Sequence, residues 1–323
     1  MKQVTLEELL EAGCHFGHQV TRQNPKARDF IFEARDGIHI IDLVKTKEGL
    51  DEAYDFVKSI ASKDSSNMLI VGTKRQAQPI IDEELKKAKN IISSKKIDSG
   101  LTGAEDKPLD PGLFYVTKHW VGGILTNFSA VQKNFEKLHD LEDNLQDEEE
   151  KEKFTKKEIG LWDKERQKLD SFYSGVAYMK KMPDVLFVVD THQELLAVRE
   201  ANRMGIPVVG IVDTNADPDN INYVIPSNDD AVGALKLLIS HILEAWIEGK
   251  TLPKDKGLEI KDKKEVAKET TSTSNPSVNS GQGTTVARET EETKVAKKPA
   301  KPVEKQVKKA KKEKTTDKTK ENE

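Results

Sequence analysis

Three stretches of this 323-residue chain decide its fold: NMLIVGT at 67–73, DVLFVVD at 184–190 and PVVGIVD at 207–213. Each is a short unbroken apolar run, rich in Val, Ile and Phe, without the polar alternation of a strand that has one face in water. Strands covered on both faces read this way, and parallel sheets are built from them. GLFYVT at 112–117 repeats the pattern, YVIP at 223–226 reads as a short last strand and GIHIIDL at 37–43 as an earlier one. Outward from these runs the period changes. Leu50, Ala53, Tyr54, Val57, Ile60 and Ala61 recur at helical spacing, and further helical patterns cover about 75–89, 192–204 and 229–248. Strand, helix, strand in repeated order predicts a doubly wound α/β fold. At the start, Thr5 with Glu8 three residues on is a capping-box pattern, and Gly13 is placed to end that short helix.

Two stretches interrupt the alternation. Residues 90–111 are polar and rich in Gly, Ser and Pro, which reads as a surface insertion. Residues 129–182 hold no strand pattern; Val131, Phe135, Leu138 and Leu145, then Ile159, Trp162, Leu169, Tyr173 and Val176, form two helical stripes around an acidic turn region. Two such seams predict an antiparallel coiled-coil hairpin. The expected organisation is an α/β domain at 1–128 and 183–248, a hairpin at 129–182 and a tail at 249–323.

Charge separates the tail from the body. Of 52 Lys plus Arg and 56 Asp plus Glu, the stretch from Thr251 onward holds 19 and 13, leaving 33 and 43 before it. The body is acidic and the tail basic, as in an appended interaction or solubilising segment. TTSTSNPSVNSGQGTT and KVAKKPAKPVEKQVKKAKKEKTTDKTK offer almost no large apolar side chains to offset the entropy of ordering, so a Lys-rich disordered tail is expected. A single cysteine excludes an intramolecular disulfide, and no apolar run reaches about 18 residues. MKQVTLEELLEAG is acidic and helical in pattern, unlike a signal or transit peptide. The expectation is a cytoplasmic protein without membrane partners.

A parallel sheet presents its functional loops at the carboxyl ends of its strands. Here these carry Gly72-Thr73-Lys74-Arg75, Lys118 to Phe128, Asp190-Thr191-His192 and Asp213-Thr214-Asn215. No G-x-x-x-x-G-K-[ST], G-x-G-x-x-G or G-x-S-x-G frame occurs, which argues against a nucleotide cradle or a serine nucleophile. Asp190, His192, Asp213 and Asp217 would suit a metal hydrolase only if they converged, and Asp and Thr at strand ends more often cap turns. In GCHFGHQVTRQNPKARDFIF, 13–32, Cys14, His15 and His18 are zinc-type donors that lack a fourth. What remains is a mixture of cations, amides, hydroxyls and an aromatic, the groups that bind phosphate, ribose and unpaired bases. These groups suit RNA without requiring a metal or a cofactor, though residue types alone do not select RNA over the alternatives.

The order of motifs LLEAGCHFGHQ, NPK, GIHIIDLVKT, VGTKRQAQ, HWVGGILTNF, FTKKE, MPDVLFVVD, GIPVVGIVDTNADPD and YVIPSNDDA, over about residues 1–248, resembles the bacterial-type ribosomal small-subunit protein S-two family. The resemblance implies a flavodoxin-like three-layer domain with a helical hairpin. It implies a structural, non-enzymatic constituent of the small ribosomal subunit, bound to small-subunit rRNA near the head-body junction. Neighbouring small-subunit proteins, including the large mRNA-binding ribosomal protein, are the implied protein partners. His15, Phe16, Gly17, His18, Asn24, Pro25 and Lys26 match the family's opening motif, whereas Gln23 stands where an aromatic is usual and His119 where Arg commonly precedes Trp120. The expected RNA-binding set is His15, His18, Gln19, Arg22, Asn24, Lys26, Lys74, Arg75, His119, Trp120, Thr126 and Asn127, with Phe16 anchoring the opening loop. The alternatives are a metal- or nucleotide-dependent enzyme on the same sheet and a scaffold that acts without RNA through the hairpin and tail.

Overall fold

The structure of the protein, a computed structural model, describes residues 4–98, 111–148, 151 and 153–251. The expected tail, beyond Thr251, and residues 99–110 of the expected insertion lie outside the described residues. Helix α1 (Leu6–Glu11) opens with the capping box that Thr5 and Glu8 predict: Glu8 N–H donates to Thr5 Oγ1 at 3.2 Å, and Thr5 N–H donates to the Glu8 carboxylate at 2.9 Å.

Three short strands follow, β1 (Phe16–Gln19), β2 (Ile31–Arg35) and β3 (Ile38–Ile41), in an antiparallel sheet of order β1-β3-β2. The stretch 37–43 therefore forms a strand only over Ile38–Ile41, and it pairs outside the main sheet. Asp42 ends it by accepting from Val44 N–H at 2.9 Å, which caps α2 (Leu43–Ala61). Strands β1 and β2 are absent from the sequence reading because their residues are half-buried or exposed and lack apolar alternation. Their one legible signal is Asp36-Gly37. Both residues have positive φ, 51° and 78°, as a two-residue hairpin turn requires.

The main sheet is parallel, with strands β4 (Met68–Val71), β5 (Leu113–Val116), β6 (Val185–Val188), β7 (Val208–Val212) and β8 (Tyr223–Pro226) in the order β5-β4-β6-β7-β8. This is the doubly wound order of a flavodoxin-like domain. The remaining helices are α3 (Ala77–Asp98), α4 (Phe128–Gln146), α5 (Lys156–Tyr173), α6 (Leu195–Met204) and α7 (Val232–Thr251). Neighbouring strand residues face opposite sides, so one apolar run feeds two cores. Met68 and Ile70 pack with α2, α3 and α7; Leu69 and Val71 pack with α4 and α6.

Helix α3 extends to Asp98, past the expected end near 89, because Ile81, Leu85, Ala88 and Ile92 continue one buried stripe. The first part of the expected insertion is thus helix. In the pair α4 and α5, Val131, Phe135, Leu138 and Tyr173 are buried beside the sheet, while Leu145, Ile159, Trp162 and Leu169 are half-buried. Trp162 meets Phe154 edge-on, with ring centroids 4.5 Å apart. Among the described residues no helix is long and apolar enough to cross a membrane.

Candidate nucleic-acid interface

The opening loop is held from inside by Cys14, which has no exposed surface; its N–H donates to Leu9 O and its carbonyl accepts from Asn228 N–H, both at 3.1 Å. Burial pushes its thiol above the ordinary value. The expected anchor, Phe16, is 50% exposed and rests on the His15 ring at 4.0 Å. Gly13, at φ +80°, turns the chain so that Cys14 takes the inward position, and Phe16 is already in the small sheet opposite Ile40.

Gly17 permits the next contact, since a Cβ there would come within 2.7 Å of Thr214. His18 N–H donates to Thr214 Oγ1 at 2.9 Å and Asn24 N–H to Thr214 O at 2.8 Å, seating the opening loop on the loop after β7. The His18 ring then lies between two carboxylates, with Nδ1 3.1 Å from Asp213 and Nε2 3.5 Å from Asp230. Cys14, His15 and His18 therefore face three different environments.

Beside His18 a lysine is enclosed by carboxylates. Lys74 Nζ lies 2.9 Å from Asp190, 2.7 Å from Asp229 and 2.9 Å from Asp230. Burial opposes the charge on Lys74, but Asp229 and Asp190 hold its pKa above the ordinary value. Burial, with Asp190 and Asp213 nearby, pushes the Asp229 carboxyl up to about 7, against the pull of Lys74. Contact with Asp213 raises His18 above its ordinary value, and burial opposes it. Donor atoms of His18, Asp229 and Asp230 lie within 4.8 Å of one another, a set that a divalent cation could share. Lys74 already supplies one positive charge to two of the three. Asp190 and Asp213 belong to this group, but Asp217 pairs with Lys26 and His192 is exposed, so the four residues of a hydrolase do not meet. The cluster floors an open cleft of about 830 Å³ lined by His18, Arg22, Lys74, Asp190, His192 and Asp230, among others.

These contacts make stability depend on pH. A histidine with a raised folded pKa stabilises fully below its unfolded value of 6.5, and that contribution is lost as pH rises through the higher folded value. Asp229 acts in the same direction, because between its ordinary 3.8 and about 7 the folded state keeps a proton that the unfolded state releases. The melting midpoint is expected to fall as pH rises from about 5 to about 8, and His18→Gln should flatten the part above 6.5. A wild-type midpoint that is constant over this window would show that neither His18 nor Asp229 has a raised pKa in the folded protein.

The loop between β5 and α4 carries His119, Trp120, Thr126 and Asn127. Trp120 is buried at 4% exposure, and its indole N–H donates to Glu200 of α6 at 3.2 Å. Its ring is packed in the core cluster rather than open for stacking. Thr126 Oγ1 also donates to Glu200, at 3.2 Å, although Thr126, like Lys118, His119 and Asn127, is exposed. Sequence reasoning passed over Glu200 and Asp229. The signal for Glu200 was its place on the buried face of α6 beside Ala197 and Ala201, where a carboxylate is out of pattern.

The cations of the expected set divide into two groups. Lys26 Nζ is 2.9 Å from Asp217 and also pairs with Asp219, while Asn24 Oδ1 accepts from Lys26 N–H at 3.1 Å. Lys26 and Lys74 are thus neutralised within the fold. Arg22 and Arg75 are exposed and make no ion pair among the described residues, and the same holds for Lys118, which is outside the expected set. Gln19 is exposed at the end of β1, and His15 is half-buried.

The family model described as Ribosomal protein S2 matches residues 9–103 and 107–249. The chain is 46% identical over 249 residues, 77% of this chain and 88% of the relative, to a protein of Geotalea uraniireducens (strain Rf4) named Small ribosomal subunit protein uS2. A match spanning both halves of the parallel sheet, the helical pair and the opening loop leaves one assignment: the chain belongs to the ribosomal protein S2 family.

Proposed function

We propose that this protein is a structural, non-enzymatic constituent of the small ribosomal subunit, and that it binds small-subunit rRNA near the head-body junction through the carboxyl edge of its parallel sheet. The observation that carries the RNA contact is the set Arg22, Arg75 and Lys118, exposed and without an ion pair among the described residues, on a body whose Lys26 and Lys74 are already matched by carboxylates. Cations left free on an acidic body have an external anion as their natural partner. Phosphate contacts set register and affinity, and the exposed Gln19, His119 and Asn127 beside them can bond to ribose or base edges.

Protein neighbours have a separate surface available. Phe16, Val20, Phe32 and Ile38, on the small antiparallel sheet and the turn after its first strand, are 50%, 42%, 71% and 39% exposed. Large apolar side chains grouped in this way mark a contact surface. This supports docking of neighbouring small-subunit proteins, among them the large mRNA-binding ribosomal protein.

The test is sedimentation of the full chain from a lysate at low and high salt. Co-migration with small-subunit particles, weakened by substituting Arg22 and Arg75, is the expected result. A chain that stays at the top of the gradient at low salt would overturn the reading.

A further inference from the structure

We infer that Glu200 is the positioning residue of the RNA-facing loop 117–127: its buried carboxylate holds the backbone that presents Lys118, His119 and Asn127. The inference rests on the RNA reading above. From Thr117 to Asn127 the chain forms neither strand nor helix, and its internal backbone bonds are Ile124 N–H to Val121 O at 3.3 Å and Asn127 N–H to Gly123 O at 2.8 Å. Buried backbone donors require partners. Here the partner is a side chain from another element. Glu200 Oε1 accepts from Gly123 N–H at 2.8 Å and from the Trp120 indole at 3.2 Å; Oε2 accepts from Leu125 N–H at 3.1 Å, and from Thr126 N–H and Thr126 Oγ1 at 3.2 Å each.

A carboxylate at 6% exposure beside Ala197, Val198 and Ala201 would ordinarily be costly. Burial does push Glu200 toward the neutral form, but the N–H of Gly123, the Trp120 indole and the N–H groups of Thr126 and Leu125 together bring it below the usual carboxylate range. An ionised carboxylate is purely an acceptor with about four lone-pair sites, so it can gather these donors when the Thr126 N–H and hydroxyl share one oxygen. An amide cannot, because its NH2 would be aimed at other N–H groups. Two of the bonded positions adjoin exposed ones: Trp120 follows His119, and Thr126 precedes Asn127. Gly123, at φ +97°, makes the turn that lets both halves of the loop reach one side chain. Glu200 touches no RNA in this scheme; it fixes where the contacting groups stand.

The experiment is a double-mutant cycle on the full chain, with salt titrations of binding to small-subunit rRNA for wild type, Glu200→Gln, Lys118→Ala and the double variant. In wild type, Lys118→Ala should lower the salt slope by about 1, as for one phosphate contact. On Glu200→Gln it should lower the slope no further, because the misplaced loop no longer offers Lys118 to phosphate. Amide exchange at Gly123, Leu125 and Thr126 should quicken by about tenfold or more in Glu200→Gln, the scale of losing a bond to a charged acceptor, while Val71 and Val188 stay protected. Additive effects in the cycle would overturn the inference alone and leave Glu200 as an ordinary buried partner. A Lys118→Ala variant with the wild-type slope would instead overturn the RNA reading of this loop, and the inference with it. If Glu200→Gln does not fold, Glu200→Asp, which keeps the charge and shortens the reach, carries the same cycle.

Discussion

Replacing Arg22 and Arg75 together by alanine should reduce the slope of log affinity against log salt by about 2 and weaken rRNA binding on the order of 50-fold at about 0.1 M salt. Both figures follow from counterion release, because each lost phosphate contact removes about 0.9 from the slope. Folding should be unaffected, since both side chains are exposed and make no ion pair among the described residues. Lys26→Ala is the informative control. Lys26 is occupied by Asp217 and Asp219, so its loss should change the slope by much less than that of Arg22 or Arg75. A double variant that keeps the wild-type slope would show that phosphate is bound elsewhere, and the carboxyl edge of the sheet would no longer be the interface.

The largest effect on stability is expected at Trp246. Its side chain has no exposed surface, and it lies in α7 within the same cluster as Leu50, Ile81 and Leu243. The indole N–H donates to Pro111 O at 3.0 Å, which ties the helix layer to the segment entering β5. Trp246→Ala should cost about 3–5 kcal/mol, from lost burial together with the cavity left behind. Against a total of about 5–15 kcal/mol for a typical domain, that is a large share. Trp246→Phe restores most of the apolar volume but leaves the Pro111 carbonyl without this donor, so a smaller loss of about 1–3 kcal/mol is expected. Denaturant midpoints at constant m-value give both numbers. A cost below about 1 kcal/mol for Trp246→Ala would mean that α7 separates from the cooperative core before the sheet unfolds.

The elements legible in the sequence were those that bury their side chains. Strands β4, β6 and β7 are buried at every position, so their residues had to be apolar without interruption. Helix α2 buries Leu50, Ala53, Tyr54, Val57, Ile60 and Ala61, the same stripe that marked it. Strands β1 and β2 left no such trace: their backbones are organised by pairing with β3, and their side chains are largely outside the core. The end of α3 was misplaced because polar residues around Ile92 hid a continuing stripe.

The sequence by itself determined the parallel sheet, its helices and the loops where chemistry would gather, because solvent exclusion acts on each residue and leaves its record in local periodicity. Residue type also identified Arg22, Lys26, Lys74, Arg75 and Trp120 as candidates. Which of them face outward was decided only by tertiary structure. Lys74 is neutralised by carboxylates as far as 156 positions away, and Trp120 is drawn inward by a glutamate 80 positions away. Whether a cation is free or a ring is open depends on charges and donors within a few ångströms in space, and local sequence does not record which distant loops the fold will bring there.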